Sequence, residues 1–437
     1  MIGRWIPPVV KPPARPKPSP RRSEPGLDAR QADLVRRARF LVALARCLHL
    51  YGAPAPRLEN AITDVARLIG LVCNINSSPT SIVLSFREPG GPESMLNEIT
   101  RVVRLEPGGL DLRRMVMADA VVEQVLDGSL DIDTGYSRLL EIEALPGRAD
   151  WLVVLSFGLI GAGVASLLAL GWAELFATGV IGLLVGCLSL VCTRHPNLNA
   201  STEAVCALVA TVLAYGISSL IHPLAVQMVT LASLIVLLPG LSLTTAINEL
   251  STQHLVSGVA RMAGAFAVLL KLTFGVVAGT QVAHLMGWSL VMTETVPLPY
   301  WVLWVSLVGA AFGFAINFSA PWRDVPLVMG AAMTSYLVTR FVGPSVGSDF
   351  GVFIAALIAC AAGNLYAHVW HRPGALIRLP GIILLVPGSV GFRSLSHAFE
   401  RDVFMTLDTA FTLLTILITL VAGILFGNLL VPPRRSL

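Results

Sequence analysis

Charge is what this 437-residue chain has least of: Lys, Arg, Asp and Glu make up 13% of it, where a soluble domain carries about 25%. Lysine is scarcer still, and Lys271 is the only one beyond the first twenty residues. There is no Cys-x-x-Cys pair, so the six cysteines read as small buried hydrophobes rather than metal ligands or disulfides. There is no Walker A loop, which excludes a pump that hydrolyses ATP on this chain. No G-x-S-x-G, H-E-x-x-H or Cys–His arrangement appears, so hydrolase and metalloprotease chemistry have no visible carrier. The run "GLIGAG" (158–163) lies inside an apolar segment and reads as helix packing, not as a dinucleotide loop. The chain is not expected to be an enzyme, nor to use a cofactor, a metal or a nucleic-acid partner.

Apolar residues fill the space that charge leaves: 54% of the chain is hydrophobic and its mean hydropathy is +0.73. The charge that remains is uneven. Residues 1–39 hold ten Lys/Arg against three Asp/Glu, residues 40–150 hold ten against fifteen, and residues 151–437 hold eleven against nine. Four regions follow. Residues 1–30 form a Pro- and Arg-rich basic tail with no apolar core of a secretory signal, expected to be disordered or to touch anionic headgroups. Residues 31–150 form a small α+β domain. Residues 151–280 and 300–437 form two sets of five apolar segments each.

In the α+β domain, 31–52 and 56–72 have helical spacing, "CNINSSPTSIVLSF" (73–86) and "TRVVRLEP" (100–107) read as strands, and 110–128 is a helix closed by Gly128. Gly52, Pro54, Pro107, Gly108 and Gly109 read as turn formers. The ten later segments run approximately over 151–170, 173–193, 202–221, 224–247, 255–280, 300–318, 325–342, 350–370, 377–396 and 408–431. Each suits a hydrocarbon core about 30 Å thick. Arg194, Arg323, Arg372, Arg378, Arg434 and Arg435 fall on one side of such a bundle, against Arg340, Arg393 and Arg401 on the other. That bias puts both termini and the α+β domain in the cytoplasm.

The two sets repeat each other. Trp172-Ala173-Glu174 aligns with Trp322-Arg323-Asp324 at an offset of 150, and Leu238-Pro239-Gly240 with Val386-Pro387-Gly388 at an offset of 148. Five spans per set would insert the second copy upside down, as in secondary transporters built from inverted repeats. A Pro-Gly pair deletes a donor and weakens a helix where no water can repair it. A break at the same place in both halves therefore points to a binding site between them, although a kink that only shapes packing is the competing reading. Small hydroxyls follow each break: Ser242, Thr244 and Thr245 in one half, Ser389 in the other. Helix starts there would offer free N–H groups to a carboxylate.

Ionisable residues in spans are expensive and functional by default. Glu249, about three turns past the first break, is the leading proton-coupling candidate, against a solvated helix end. Glu203 and Asp408 open spans and are also read as first-turn acids. Lys271 either snorkels or partners a carboxylate. Gly182/186, 275/279, 309/313 and 423/427 have the spacing of close helix contacts.

"VLLPGLSLTTAINELSTQHLVSGVARMAG" (236–264), "HLYGAPAPRLENA" (49–61), "SPTSIVLSF" (78–86), "VRLEPGGLDL" (103–112) and "LPGIILLVPGSVGFRSL" (379–395) together resemble the threonine/serine exporter (ThrE) family, in its fused two-half form. The resemblance implies a ten-span carrier in the bacterial inner membrane with a cytoplasmic N-terminal domain. Its implied activity is export of small hydroxy amino acids driven by the proton gradient. Split relatives of the same architecture are associated with dicarboxylates such as succinate. Thr245 and Asn248 stand where the family usually has an asparagine and an arginine. The expected substrate-binding set is Pro239, Gly240, Ser242, Thr244, Thr245, Asn248, Pro387, Gly388 and Ser389. Glu249, Lys271, Glu203 and Asp408 are the expected coupling or charge partners. Dicarboxylate export is the alternative, with Lys271 and Arg261 supplying positive charge. A passive channel and a membrane-anchored enzyme with its chemistry in residues 40–150 are the further rivals. A homo-oligomer is left open.

Overall fold

The computed structural model describes residues 25–90, 98–288, 298–386, 388–399 and 402–433, and most of the basic tail, Pro387, Arg401, Arg434 and Arg435 lie outside them. In the N-terminal domain, helix α1 (Pro25–Leu50) is followed by α2 (Ala55–Leu68). Then come three antiparallel strands, β1 (Val72–Ser78), β2 (Ser81–Arg87) and β3 (Ile99–Arg104), in the order β1-β2-β3. β1 and β2 form a hairpin in which Cys73 faces Phe86 and Ser78 faces Ser81. The alternation of β2 decides its inner face: Ile82, Leu84 and Phe86 are fully buried while Val83 is exposed. They pack with Phe40, Leu41 and Leu44 of α1 in one core. Helices α3 (Leu112–Leu126) and α4 (Ile132–Ala144) complete the layer, each capped by an aspartate, Asp111 and Asp131, whose carboxylate accepts a backbone N–H. α2 ends earlier than its periodicity suggests because the chain turns at Gly70 (φ +78°), and Gly128 (φ +79°) closes α3.

The first apolar set folds as α5 (Asp150–Leu167), α6 (Trp172–Arg194), a short α7 (Pro196–Asn199), α8 (Thr202–Leu220), α9 (Val226–Ser233), α10 (Gly240–Ser251) and α11 (Leu255–Leu285). The second folds as α12 (Tyr300–Asn317), α13 (Val325–Val346), α14 (Ser348–Trp370), α15 (Ala375–Ile383), α16 (Gly388–Phe399) and α17 (Val403–Leu430). Among the described residues nine helical segments are long and apolar enough to cross a membrane, and α9 with α10, bent by 52°, makes a tenth. Phe176, Val180, Leu184 and Val191 are exposed along α6, as a lipid-facing stripe should be. Cys187 is exposed on the same helix. It is the exception to the expectation that all six cysteines are buried, because a thiol is apolar enough to face lipid.

The two sets touch through reciprocal contacts. A methyl added at Gly163 of α5 would meet Ala310 Cβ at 2.6 Å and the Ser306 carbonyl at 2.9 Å on α12. One added at Gly313 of α12 would meet Ile160 at 2.7 Å and the Ser156 carbonyl at 3.1 Å on α5. Each of these three residue pairs is related by the offset of 150. Elsewhere a methyl added at Gly279 would meet the Leu208 carbonyl of α8 at 2.8 Å, and one at Gly427 the Leu357 carbonyl of α14 at 2.9 Å. Gly309 meets nothing within 4 Å, so only the second member of its expected pair packs. Matching turns also recur: Ala169 (φ 58°) after α5 and Ser319 (φ 51°) after α12 are both left-handed without being glycine. Among the described residues, the second turn alone takes backbone hydrogen bonds from the N-terminal domain. Its carbonyls at Phe318 and Ser319 accept the N–H groups of Leu112 (2.9 Å) and Arg113 (3.2 Å) at the start of α3.

Candidate functional site

The break in the first set begins when α9 stops at Ser233 and one 3-10 turn follows at Ile235–Leu237. Leu238 is extended, and α10 starts afresh at Gly240 just after Pro239. In the second set α15 stops at Ile383, Leu384 and Leu385 turn, and α16 starts at Gly388. The two restarts abut. A methyl on Gly388 would lie 3.1 Å from Gly240 Cα and 3.3 Å from Gly240 N. A methyl on Gly240 would collide with Val386 and lie 3.3 Å from Gly388 N. Glycine is required here by the closeness of two backbones.

Beside this junction is a cavity of about 370 Å³. Leu241, Thr244, Thr245, Asn248 and Thr252 form one face of α10 toward it, at the i, i+3, i+4 spacing of a helix. Arg378 and Ile382 of α15 and Asn428 of α17 form a second wall, and Arg57, Asn60 and Asp64 of α2 form the third. Of the expected substrate-binding residues, Thr244, Thr245 and Asn248 line the cavity. Gly240 and Gly388 lie at the junction, as Pro239 does on its α9 side. Ser242 and Ser389 are partly buried near the restarts without lining the cavity, and Pro387 lies outside the described residues.

The polar groups of the cavity are not all spent. Thr244 Oγ1 and Arg57 Nη1 are buried with no hydrogen-bond partner among the described residues. Burial pushes the Arg57 guanidinium below its ordinary value, against the opposing pull of Cys360 and of Asp119. Asp64 is partly engaged by Arg67 at 3.2 Å. Two guanidiniums against one shared carboxylate leave the cavity net positive.

The charged candidates are paired rather than free. Glu249 is fully buried and its two oxygens accept from Arg261 Nε and Nη2, each at 3.0 Å. It also accepts the backbone N–H of Ala55, the first residue of α2, at 3.0 Å. The carboxylate thus sits at a helix N-terminus, where partial positive charge favours it. One turn on, Glu59 takes the N–H and hydroxyl of Ser77 (2.7 and 2.9 Å) and faces His254 Nε2 at 3.3 Å. Lys271 meets Glu203 at 3.3 Å, which joins two of the candidates to each other. Asp408 does not open its helix as expected: α17 starts at Val403 with Asp402 as its cap, and Asp408 is exposed in the second turn. Arg261 and Lys271 therefore each answer an acid, and the cations that line the cavity are Arg57 and Arg378.

Those two arginines were missed by sequence reasoning. Arg57 lies in "GAPAPRLENA", where the prolines and glycine read as a turn, and Arg378 counted only as a basic loop residue. Arg378 carried a clearer signal, an isolated charge between apolar neighbours, whereas Arg57 has Glu59 two residues on. A larger cavity, about 500 Å³, lies in the N-terminal domain between α1 and α4, lined by Ala38, Arg39, Tyr136 and Leu140. It is apart from the breaks.

Comparison with known proteins gives two family matches. Residues 39–283 match the family described as "Putative threonine/serine exporter", and residues 303–430 match "Threonine/Serine exporter, ThrE". Among curated proteins, the chain is 27% identical over 380 residues to pheromone-regulated membrane protein 10 of Pichia sorbitophila, covering 83% of this chain and 37% of that protein. The protein of the same name from Eremothecium gossypii is 27% identical over 383 residues, with 85% and 51% covered. The one from Debaryomyces hansenii is 28% identical over 387 residues, with 83% and 37% covered. The chain thus spans about a third to a half of the length of these relatives. No solved structure gives a significant match. The relatives are fungal, so they lend no support to the expected bacterial inner membrane. A multi-pass membrane protein is what the comparisons and the apolar helices support together.

Proposed function

We propose that this chain, which belongs to the threonine/serine exporter family, is a secondary carrier that exports small hydroxy amino acids, threonine or serine, in exchange for protons. The observation that carries the reading is the contact of Gly240 with Gly388 beside the cavity of Thr244, Thr245 and Asn248. A helix broken in lipid needs its freed groups satisfied by protein or by a polar cavity, and here both breaks meet at one. The reciprocal contacts of Gly163 and Gly313 support a pseudo-two-fold axis between the sets. With five spans per set, such an axis lies in the membrane plane and makes the second set an inverted copy.

In this mechanism the substrate carboxylate binds the net positive cavity, and its hydroxyl meets Thr244, Thr245 or Asn248. One set then rocks against the other about the Gly240–Gly388 junction. Proton coupling is assigned to Glu249, a fully buried carboxylate whose counter-charge is Arg261. Glu203 with Lys271 is the second such pair. Asp408, exposed in the second turn of α17, is kept as the remaining coupling candidate. The basic loop residues support a cytoplasmic N-terminal domain and cytoplasmic termini, and the bacterial inner membrane stays a proposal.

Export of dicarboxylates such as succinate is the second reading, favoured by the pair Arg57 and Arg378 on the cavity wall. Counterflow in proteoliposomes with labelled threonine, serine and succinate, with and without a pH gradient, tests both. Exchange of an amino acid that a gradient accelerates is expected. Exchange of succinate alone selects the second reading, flux indifferent to the gradient selects a channel, and exchange of none of the three overturns the proposal.

A further inference from the structure

The N-terminal domain is not mounted beside the transport site; it forms one wall of it. α2 presents Arg57, Asn60 and Asp64 to a cavity whose other walls are α10, α15 and α17. Two ties hold that helix in place. The N–H of its first residue, Ala55, is given to Glu249 on α10, and Glu59, one turn on, faces His254 in the turn between α10 and α11. Both ties land on the segment that follows the first break, so α2 cannot leave without releasing it. Within this wall Arg57 stands out. Its Nη1 is buried with no acceptor among the described residues, and Thr244 Oγ1, on a residue 4% exposed on the α10 wall, is likewise unspent among them. Arg378 brings a second guanidinium to the same space. A cavity that brings two guanidiniums together suits an acceptor with two oxygens, and a planar guanidinium matches a carboxylate in two-point geometry.

We infer that Arg57 is a substrate-binding residue, that it takes a carboxylate of the transported molecule together with Arg378, and that α2 is the gate that closes the cavity on the N-terminal-domain side. The inference rests on the carrier reading above. It explains why Glu249 is tied at once to Arg261 and to α2: a change in the charge of Glu249 reaches the gate directly through the N–H of Ala55. Release of α2 opens the cavity to one side, and its return covers a bound carboxylate with Arg57.

The test uses the full chain in proteoliposomes and counterflow of labelled threonine, serine and succinate. A wild-type chain that exchanges none of them overturns the carrier reading and this inference with it. Given wild-type exchange, Arg57→Gln should raise the half-saturating concentration at least tenfold, with a smaller change in maximal rate, and Arg57→Lys should recover part of the loss. Folded Arg57→Gln protein with the wild-type half-saturating concentration overturns the inference and leaves the carrier reading standing. If Arg57→Gln does not fold, Asn60→Cys in a Cys187→Ser chain keeps the question open to measurement. Saturating labelled substrate should slow its reaction with a charged methanethiosulfonate at least tenfold, and equal rates with and without substrate overturn the inference.

Discussion

A methyl group at Gly240 and one at Gly388 meet different obstacles, which makes the junction between the breaks testable by rescue. In Gly240→Ala the new carbon runs into a Val386 methyl, and its backbone neighbours, Gly388 N and Cα, are at 3.3 and 3.4 Å. Val386 is β-branched and stiff at χ1, so it gives way only at a cost; the backbone contacts are tight and nearly tolerable. In Gly388→Ala the neighbours are Gly240 Cα at 3.1 Å, Gly240 N at 3.3 Å and Leu238 Cβ at 3.3 Å, none of which can rotate away. Overpacking of a well-packed contact costs about 1–3 kcal/mol. Gly240→Ala should lose about 1–2 kcal/mol, and Gly388→Ala should lie at the upper end of the range. Val386→Ala removes the obstacle to the first methyl alone, so the pair Gly240→Ala with Val386→Ala should be better than the sum of its parts by about 1 kcal/mol. No such coupling is expected with Gly388→Ala. Thermal melting in detergent reads the stability, and initial counterflow rate per folded molecule reads the movement. Transport should fall further than melting, because a junction wedged apart cannot pivot. Rescue of both glycine variants by Val386→Ala, or wild-type melting and rate in Gly240→Ala, would refute the argument that two backbones meet here.

Other outcomes follow from pairs and contacts already described. Arg261→Gln strands a fully buried Glu249 carboxylate, whereas Glu249→Gln strands a guanidinium that is partly exposed. The first should be the more destabilising, by about 1–3 kcal/mol, and the double variant should recover part of the loss in a melting cycle. Glu249→Gln should also weaken the acceleration of counterflow by a pH gradient, and unchanged coupling would move the proton to Glu203 or Asp408. Arg372 grips Asp324 with two nitrogens at 2.5 and 2.7 Å, and that acid holds the guanidinium above its ordinary range. Arg372→Lys should therefore lose about 2 kcal/mol in melting despite keeping the charge, and a neutral result would contradict the two-point geometry. Gly309→Ala should be neutral or stabilising by up to about 1 kcal/mol, while Gly313→Ala, against the Ser156 carbonyl, should reduce folded yield; equal yields would deny the α5–α12 contact.

Much of the membrane part was legible because its signals are local. A span is a run of apolar residues, and Pro239-Gly240 breaks a helix from the inside, so the segments and the first interruption could be read one stretch at a time. The hydroxyls and amide of Thr244, Thr245 and Asn248 followed from the break they adjoin. Arg57 and Arg378 could not be read in the same way. Arg57 becomes a neighbour of α10 only after α2 has folded back over residues nearly two hundred positions away, as the bond from Ala55 to Glu249 records, and Arg378 only when α15 of the second set lies beside α10. The same distance hid the bond between Glu249 and α2, and although Arg261 is only twelve residues from Glu249, their pairing depends on how α11 folds back along α10. Lys271 shows the intermediate case. A lysine in a span demands a counter-charge, but which acid supplies it depends on how α8 lies along α11.

The two left-handed turns at Ala169 and Ser319 carry a thermodynamic consequence. Two inverted copies of one design, left alone, would have two end states of nearly equal free energy and would rest in both. The N-terminal domain ends that balance, since among the described residues it gives N–H groups to the turn at Phe318-Ser319 and to no carbonyl at Leu168-Ala169. Two backbone hydrogen bonds at about 1 kcal/mol each amount to roughly a thirtyfold preference for whichever end state keeps them. On the inverted-repeat reading, a domain bound to one of two matched turns is a counterweight: if one end state breaks those two bonds, the other is where the chain rests.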